Sequence, residues 1–310
     1  MKNHISRREF INRSIVASVG TATASFSLPS LLFGNQSTPR IDISVVSGTQ
    51  YFENTMKAVE MLGGIVRFVP KGSIVGMLVN SPWDRPGTYT NPDIGLAVMK
   101  MCVDAGAKEI YSIEGASKSY WKRSKLYKKF ENEVNEIKSN SDKKTVTIEK
   151  GKALKQADIS KILLECSVLI NVPITKHHRG VELTGNLKNM MGACSGSTNR
   201  FFHKGSGKGG LLSYYDDSEF LSQCIADVNL IRKPDLCIVD ATEFITTNGP
   251  AGPGNMVKAQ KIIAGTNCLS VDAYCATLHK VNPADVLTLQ YAYQHGVGEI
   301  DMKTLVIKEV

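Results

Sequence analysis

The chain has 310 residues, 42% hydrophobic and 21% charged, a globular composition long enough for one large or two modest domains with a sizeable core. Its formal charge of +8 suggests a nucleic-acid partner, yet Lys2, Arg7, Arg8 and Arg13 fall in an N-terminal segment that reads as removable. The densest remaining basic cluster, Lys122, Arg123, Lys125, Lys128 and Lys129, runs straight into Glu131, Glu133 and Glu136, the pattern of a solvated helix face, so no nucleic acid is expected.

Residues 1–34 begin polar and basic, continue as S-R-R-E-F-I, and then become mildly apolar from Ile15 to Phe33. Adjacent arginines followed by Phe10 and Ile11 resemble a twin-arginine export signal, which predicts the export machinery as a partner through Arg7 and Arg8 and an extracytoplasmic location. Cleavage is expected after Ala24 or near Gly34. Gly20, Pro29 and the many hydroxyl residues make the stretch a poor membrane span. That route carries folded proteins, often with a cofactor already inserted. All seven cysteines (Cys102, Cys166, Cys194, Cys224, Cys237, Cys268, Cys275) lie beyond the signal without any C-x-x-C spacing, which argues against an iron–sulfur cluster or a zinc site made from local pairs. Most read as small buried hydrophobes, Cys166 and Cys237 inside apolar strands.

From residue 35 onward a single domain is expected. I-D-I-S-V-V reads as a strand, Glu53 to Leu62 as a helix ended by Gly63-Gly64, and I-V-R-F-V and I-V-G-M-L-V-N as strands. Asn91 to Ala105 has helical spacing with Pro92 in its first turn and Gly106 as its stop, followed by a strand from Glu109 to Glu114. The polar, lysine-rich stretch 117–158, with a helix near Ser124 to Ile137 and the strand T-V-T-I-E, suggests a smaller α+β insertion. A short helix then leads to a strand from Leu163 to Val172. A glycine-rich G-S-G-K-G-G loop, a helix near Ser218 to Ile231, the strand D-L-C-I-V-D, K-I-I-A-G-T-N and a helix from Ser270 to Leu278 complete the pattern. Strands separated by helices of this length predict an α/β fold with a mostly parallel sheet and helices on both faces.

Open parallel sheets bind ligands beyond the carboxyl ends of their strands. Polar clusters follow four strands: Asn80 to Thr90, Asn171 to Asn189, Asp240 to Gly254, and Gly265 to Asn267 with Asp272 beyond. In the second, Lys176 and His178 are candidate catalytic groups, with His178 an acid/base or metal ligand. His177, its neighbour in an extended segment, points the other way and reads as a hydrogen-bonded loop residue. His203 and Asp240 are the other metal candidates, a metal ion being the one cofactor this chemistry suggests. In T-G-N-L-K-N-M-M-G, Thr184 could cap a short helix whose amides, with Lys188, attract a carboxylate or phosphate, so an anionic small molecule is the expected partner. The loop 205–210 lacks the full phosphate-loop pattern and reads as a lid. N-G-P-A-G-P-G allows close backbone approach to a ligand near Asp240 and Glu243. Cys194 in G-A-C-S-G is the cysteine expected nearest the site.

Together V-P-I-T-K-H-H, T-G-N-L-K-N-M-M-G, I-V-D with N-G-P-A-G-P-G, K-I-I-A-G-T-N-C-L-S-V-D-A and the terminal H-G-V-G resemble the domain of unknown function 362 family from about Val75 to Ile300. The resemblance implies that Lys176 and His178, Thr184, Lys188, Asn189, Gly249, Pro250 and Asp272 take family positions. Asn80 follows G-M-L-V in the same set. Many relatives carry ferredoxin-type clusters, whose cysteine motifs this chain lacks. The arrangement is also loosely similar to nickel-pincer lactate racemases, which pair histidines and a lysine with a hydroxy acid. The expected function is therefore an exported enzyme with a Lys/His-lined pocket for an anionic small molecule or cofactor, the alternative being a non-catalytic periplasmic binding or cofactor-carrying protein.

Overall fold

A computed structural model describes residues 40–204 and 217–310. The expected export segment with Arg7 and Arg8, and the glycine-rich loop at 205–210, lie outside the described residues.

The chain enters β1 (Ile43–Ser47), turns through α1 (Tyr51–Met61), and reaches β2 (Ile74–Val79). Between them Ile65–Arg67 forms a 3-10 turn where a strand is predicted. Strands of this sheet are covered on both faces, whereas Val66 is 68% exposed, so I-V-R-F-V has too little buried surface to join them. Helix α2 (Pro92–Asp104) starts where Asn91 Oδ1 accepts the Asp93 N–H at 3.0 Å and Pro92 needs no partner. Then come β3 (Glu109–Ser112), α3 (Lys118–Trp121), α4 (Glu131–Glu136), β4 (Lys138–Ser139), β5 (Lys143–Thr147), β6 (Gln156–Ser160), α5 (Lys161–Glu165) and β7 (Val168–Val172). The predicted long strand from Leu163 is thus a helical turn followed by a five-residue strand.

The lysine-rich stretch is more integrated than its composition suggests. Tyr120, Trp121, Tyr127, Phe130 and Val134 are buried in the core and β4 extends the main sheet, while β5 and β6 pair as a separate hairpin in which β5 is largely exposed and Ala157, Ile159 and Ser160 of β6 are buried. Beyond β7 lie the hairpin β8 (Lys176–His178) and β9 (Glu182–Thr184), α6 (Asn186–Asn189), α7 (Gly196–Lys204), α8 (Ser218–Val228), β10 (Leu236–Ala241), β11 (Phe244–Ile245), β12 (Met256–Val257), β13 (Lys261–Gly265), α9 (Cys268–Leu278), α10 (Leu287–Gln294) and β14 (Ile307–Glu309).

The main sheet has eight strands in the order β14-β1-β13-β10-β7-β2-β3-β4, all running one way except β13, which is antiparallel to both neighbours. Alternation along the strands feeds two cores: Leu78, Leu169 and Val239 point to one face, Met77, Ile170 and Ile238 to the other. The fold is therefore α/β with a mostly parallel sheet, as the strand–helix alternation predicts. From β2 the chain builds outward to β3 and β4, then returns to lay β7 against the opposite side of β2. That reversal opens a crevice at the carboxyl ends of β2 and β7, where doubly wound sheets place ligands. Among the described residues no helix is long and apolar enough to cross a membrane.

Candidate functional site

A cavity of about 350 Å³ opens at this reversal. Residues just past three strand ends line it: Asn80 and Trp83 after β2, Glu114 after β3, and Lys176 and His178 after β7. Thr184, Lys188 and Asn189 close one side, Asn199, Arg200 and His203 come from α7, and Pro250 contributes from the proline–glycine loop. Of the residues singled out from sequence, Asn80, Lys176, His178, Thr184, Lys188, Asn189, His203 and Pro250 are brought together, and Gly249 adjoins them.

A ladder of amides carries the floor. Asn189 Nδ2 donates to Leu78 O at 3.0 Å and to Asn171 Oδ1 at 2.7 Å, Asn189 Oδ1 accepts from Asn80 Nδ2 at 3.0 Å, and Asn171 Nδ2 donates to Asn186 O at 2.9 Å. Asn80 and Asn189 thus spend these amide bonds tying α6 to β2 and β7. The lysine of β8 is buried, with Nζ donating to Thr88 O and, at 3.4 Å, to Asn80 Oδ1, and lying 5.6 Å from the Trp83 ring centroid.

Histidines 177 and 178 diverge as adjacent strand residues must. His177 Nδ1 accepts the Gly249 N–H at 3.0 Å and so pins the proline–glycine loop, whereas His178 is buried at the cavity wall with Nδ1 accepting the Gly180 N–H at 3.1 Å. In the neutral ring this puts the His178 proton on Nε2. His203 is the reverse: Nδ1–H donates to Asn199 O at 2.8 Å, leaving the lone pair on Nε2.

The electrostatics are those of cations held out of water. Burial, and then the nearby Lys188 ammonium, lowers Lys176 to about 7 against an opposing pull from Glu114. Burial likewise lowers Lys188 to about 8. Glu114 is raised by burial to about 7, with Lys176 and Lys188 pulling it back. His178 is held far below its ordinary value by burial and then by Lys188, His203 and Lys176, so its ring is neutral at physiological pH.

Several expectations are corrected. The amides at the start of α6 are not available to a ligand: Asp272 Oδ1 accepts from Asn186 N at 2.7 Å and Oδ2 from Leu187 N at 2.9 Å. Gly185 makes that approach possible, since a Cβ there would stand 2.4 Å from Asp272 Oδ1. Thr184 does not cap that helix, and its Oγ1 is buried without a hydrogen-bond partner. The metal candidate Asp240 does not line the cavity. Its carboxylate accepts from Asn91 N at 2.6 Å, Thr242 N at 2.8 Å and Thr242 Oγ1 at 2.7 Å, joining β10 to the start of α2. His178 and His203 do line the wall, but among the described residues no three His, Cys, Asp or Glu side chains cluster as a metal site would require. The fourth polar cluster, Gly265 to Asn267, lies away from the carboxyl ends of the parallel strands because β13 runs backward, and Asn267 instead caps α9 by accepting the Ser270 N–H at 2.9 Å. All seven cysteines are buried, and Cys194, absent from the cavity wall, has its thiol pushed up to about 12 by burial.

Glu114, Trp83, Asn199 and Arg200 were not singled out from sequence. Glu114 could have been, because it ends the strand expected at Glu109 to Glu114, in the same sheet whose other strand ends supplied candidates.

Comparison with known proteins adds lineage. A thylakoid-associated protein of Synechocystis sp. is 24% identical over 248 residues, 77% of this chain and 72% of that one. Two solved structures overlap in part. The lactate racemase apoprotein of Thermoanaerobacterium thermosaccharolyticum gives a TM-score of 0.48 at 13% identity over 84% of this chain. A crystal structure of a Thermotoga maritima protein gives 0.43 at 14% over 76%. The chain spans about 60% of the length of each of those two structures. Residues 75–277, more than half of the chain, match the family described as "Domain of unknown function (DUF362)", and the protein belongs to that family.

Proposed function

We propose that the protein is an exported enzyme that binds an anionic small molecule in the cavity at the ends of β2, β3 and β7. Lys188 anchors the anion, Lys176 supports it and acts as a proton-transfer group at an amine whose affinity for protons is already lowered, and the neutral His178 ring contributes a hydrogen bond from Nε2. One observation carries this reading: Lys188 Nζ lines the cavity yet makes no hydrogen bond or ion pair with any described residue. A sheltered ammonium without a partner is costly unless an anion visits it.

Calorimetric titration with inorganic phosphate and acetate tests the anchor. Wild type binds at least one of them, and Lys188→Ala weakens it by about tenfold or more. Full retention of affinity in that variant overturns the assignment. With a turned-over ligand in hand, His178→Ala abolishes turnover while sparing most of the affinity; a loss confined to affinity identifies a non-catalytic binding or cofactor-carrying protein instead. Export is checked by cell fractionation of an Arg7→Lys, Arg8→Lys variant, which accumulates as cytoplasmic precursor, whereas normal export of that variant contradicts the twin-arginine reading.

A further inference from the structure

The lysines explain how an anion is held, but not what Glu114 does beside them. Three other carboxylates in the interior are saturated. Asp227 accepts from Lys152 N, Ala153 N and Leu154 N and contacts the His295 and Gln223 side chains, and Asp240 and Asp272 accept at least three bonds each. Glu114 accepts none among the described residues. Its Oε2 is sealed from solvent without a hydrogen-bond partner, while the side chain lines the cavity.

Its surroundings preserve that condition. The wall behind it is bare backbone at Gly192, where a Cβ would stand 3.0 Å from Glu114 Cδ and force the carboxyl to move. Lys176 and Lys188 are close enough to act on Glu114 electrostatically, yet neither closes to an ion pair with it. An acidic group facing two amines across a gap leaves room for a molecule that meets both ends. Its rise to about 7 is the mark of a carboxyl without donors, and a ligand supplying one would favour the ionised form.

We propose that the ligand is bifunctional, a small carboxylate or phosphate anchored at Lys188 that also carries a hydroxyl or ammonium group, and that Glu114 accepts the hydrogen of that second group and selects for it. This rests on the anion-binding reading above and narrows it to one class of anion. A donor-bearing ligand satisfies the carboxyl oxygens; an anion with an apolar tail leaves them bare.

The test compares propionate, 3-hydroxypropionate and β-alanine, identical except at the end away from the carboxylate, by calorimetric titration of wild type, Glu114→Ala and Glu114→Gln. At least one donor-bearing probe is expected to bind wild type about tenfold or more tighter than propionate, since a hydrogen bond to a charged acceptor is at stake. Preference for 3-hydroxypropionate assigns the donor as hydroxyl, and preference for β-alanine as ammonium. In Glu114→Ala the ratio of donor-bearing probe to propionate affinity collapses to near one, whatever the loss of the Glu114 charge does to all three probes together. Equal binding of all three probes by wild type, or a preference that survives in Glu114→Ala, overturns this proposal and leaves the anion site standing. Failure of wild type to bind propionate, acetate and phosphate overturns both. If Glu114→Ala does not fold, the wild-type preference and the isosteric Glu114→Gln decide, the latter losing any preference for β-alanine.

Discussion

Two buried carboxylates in this fold are treated oppositely. Asp272, on α9, is buried, and its oxygens are consumed by the first amides of α6 and by Asn186 Nδ2. Glu114, just past the end of β3, is left without a single donor among the described residues while facing two lysines. The carboxylate that carries architecture comes with its partners, and the one that lines the cavity does not. By that criterion the amide ladder of Asn80, Asn171 and Asn189 belongs with Asp272, and Lys188 belongs with Glu114.

The sharpest way to break the contrast is Asp272→Ala. It strands two backbone amides and one side-chain amide in the interior, and an expected loss of about 3–5 kcal/mol follows from the cost of unsatisfied buried donors. Denaturant unfolding measures it, and a loss below about 1 kcal/mol would place Asp272 with the unsatisfied class. Lys188→Met should move the other way: replacing a sheltered, unpaired ammonium by an apolar chain of similar length stabilises the free protein by about 1 kcal/mol and removes anion binding. Destabilisation on that change would mean Lys188 has a structural partner.

The smallest effect is in the pH dependence of stability. Lys176 and Lys188 are lowered to about 7 and about 8, so between those values and the ordinary lysine range the folded protein holds fewer protons than the unfolded chain, and stability rises with pH there. Glu114, raised to about 7, holds more protons when folded between its ordinary value and 7, so stability falls as pH rises through that window. Free protein should therefore show a shallow dip near neutrality relative to the Glu114→Gln, Lys188→Met double variant, measured by denaturant unfolding across pH 5 to about 9.

Much of the site could be read from sequence because it is local. Lys176, His178, Thr184, Lys188 and Asn189 fall within one run after one strand, and polar density after an apolar strand has a direct physical meaning in parallel sheets. The rest depended on contacts between distant segments. Nothing near T-G-N-L-K-N announces that Asp272, on a much later helix, fills the start of α6. Asp240 looked available because a carboxylate at a strand end is ambiguous until the neighbouring helix start is placed against it. The direction of β13 is invisible in its composition, and with it went the fourth polar cluster. I-V-R-F-V was misread because alternation over five residues carries no information about which face is covered.

The internal anion at the start of α6 also bears on kinetics. Asp272 is part of the chain itself, so the anchor that holds the wall carrying Lys188 and Asn189 does not have to be supplied by a ligand. A wall anchored from within loses less of its intrinsic affinity to a prior rearrangement than one that waits for its ligand. Differences among ligands should therefore show in how long they stay rather than in how fast they arrive.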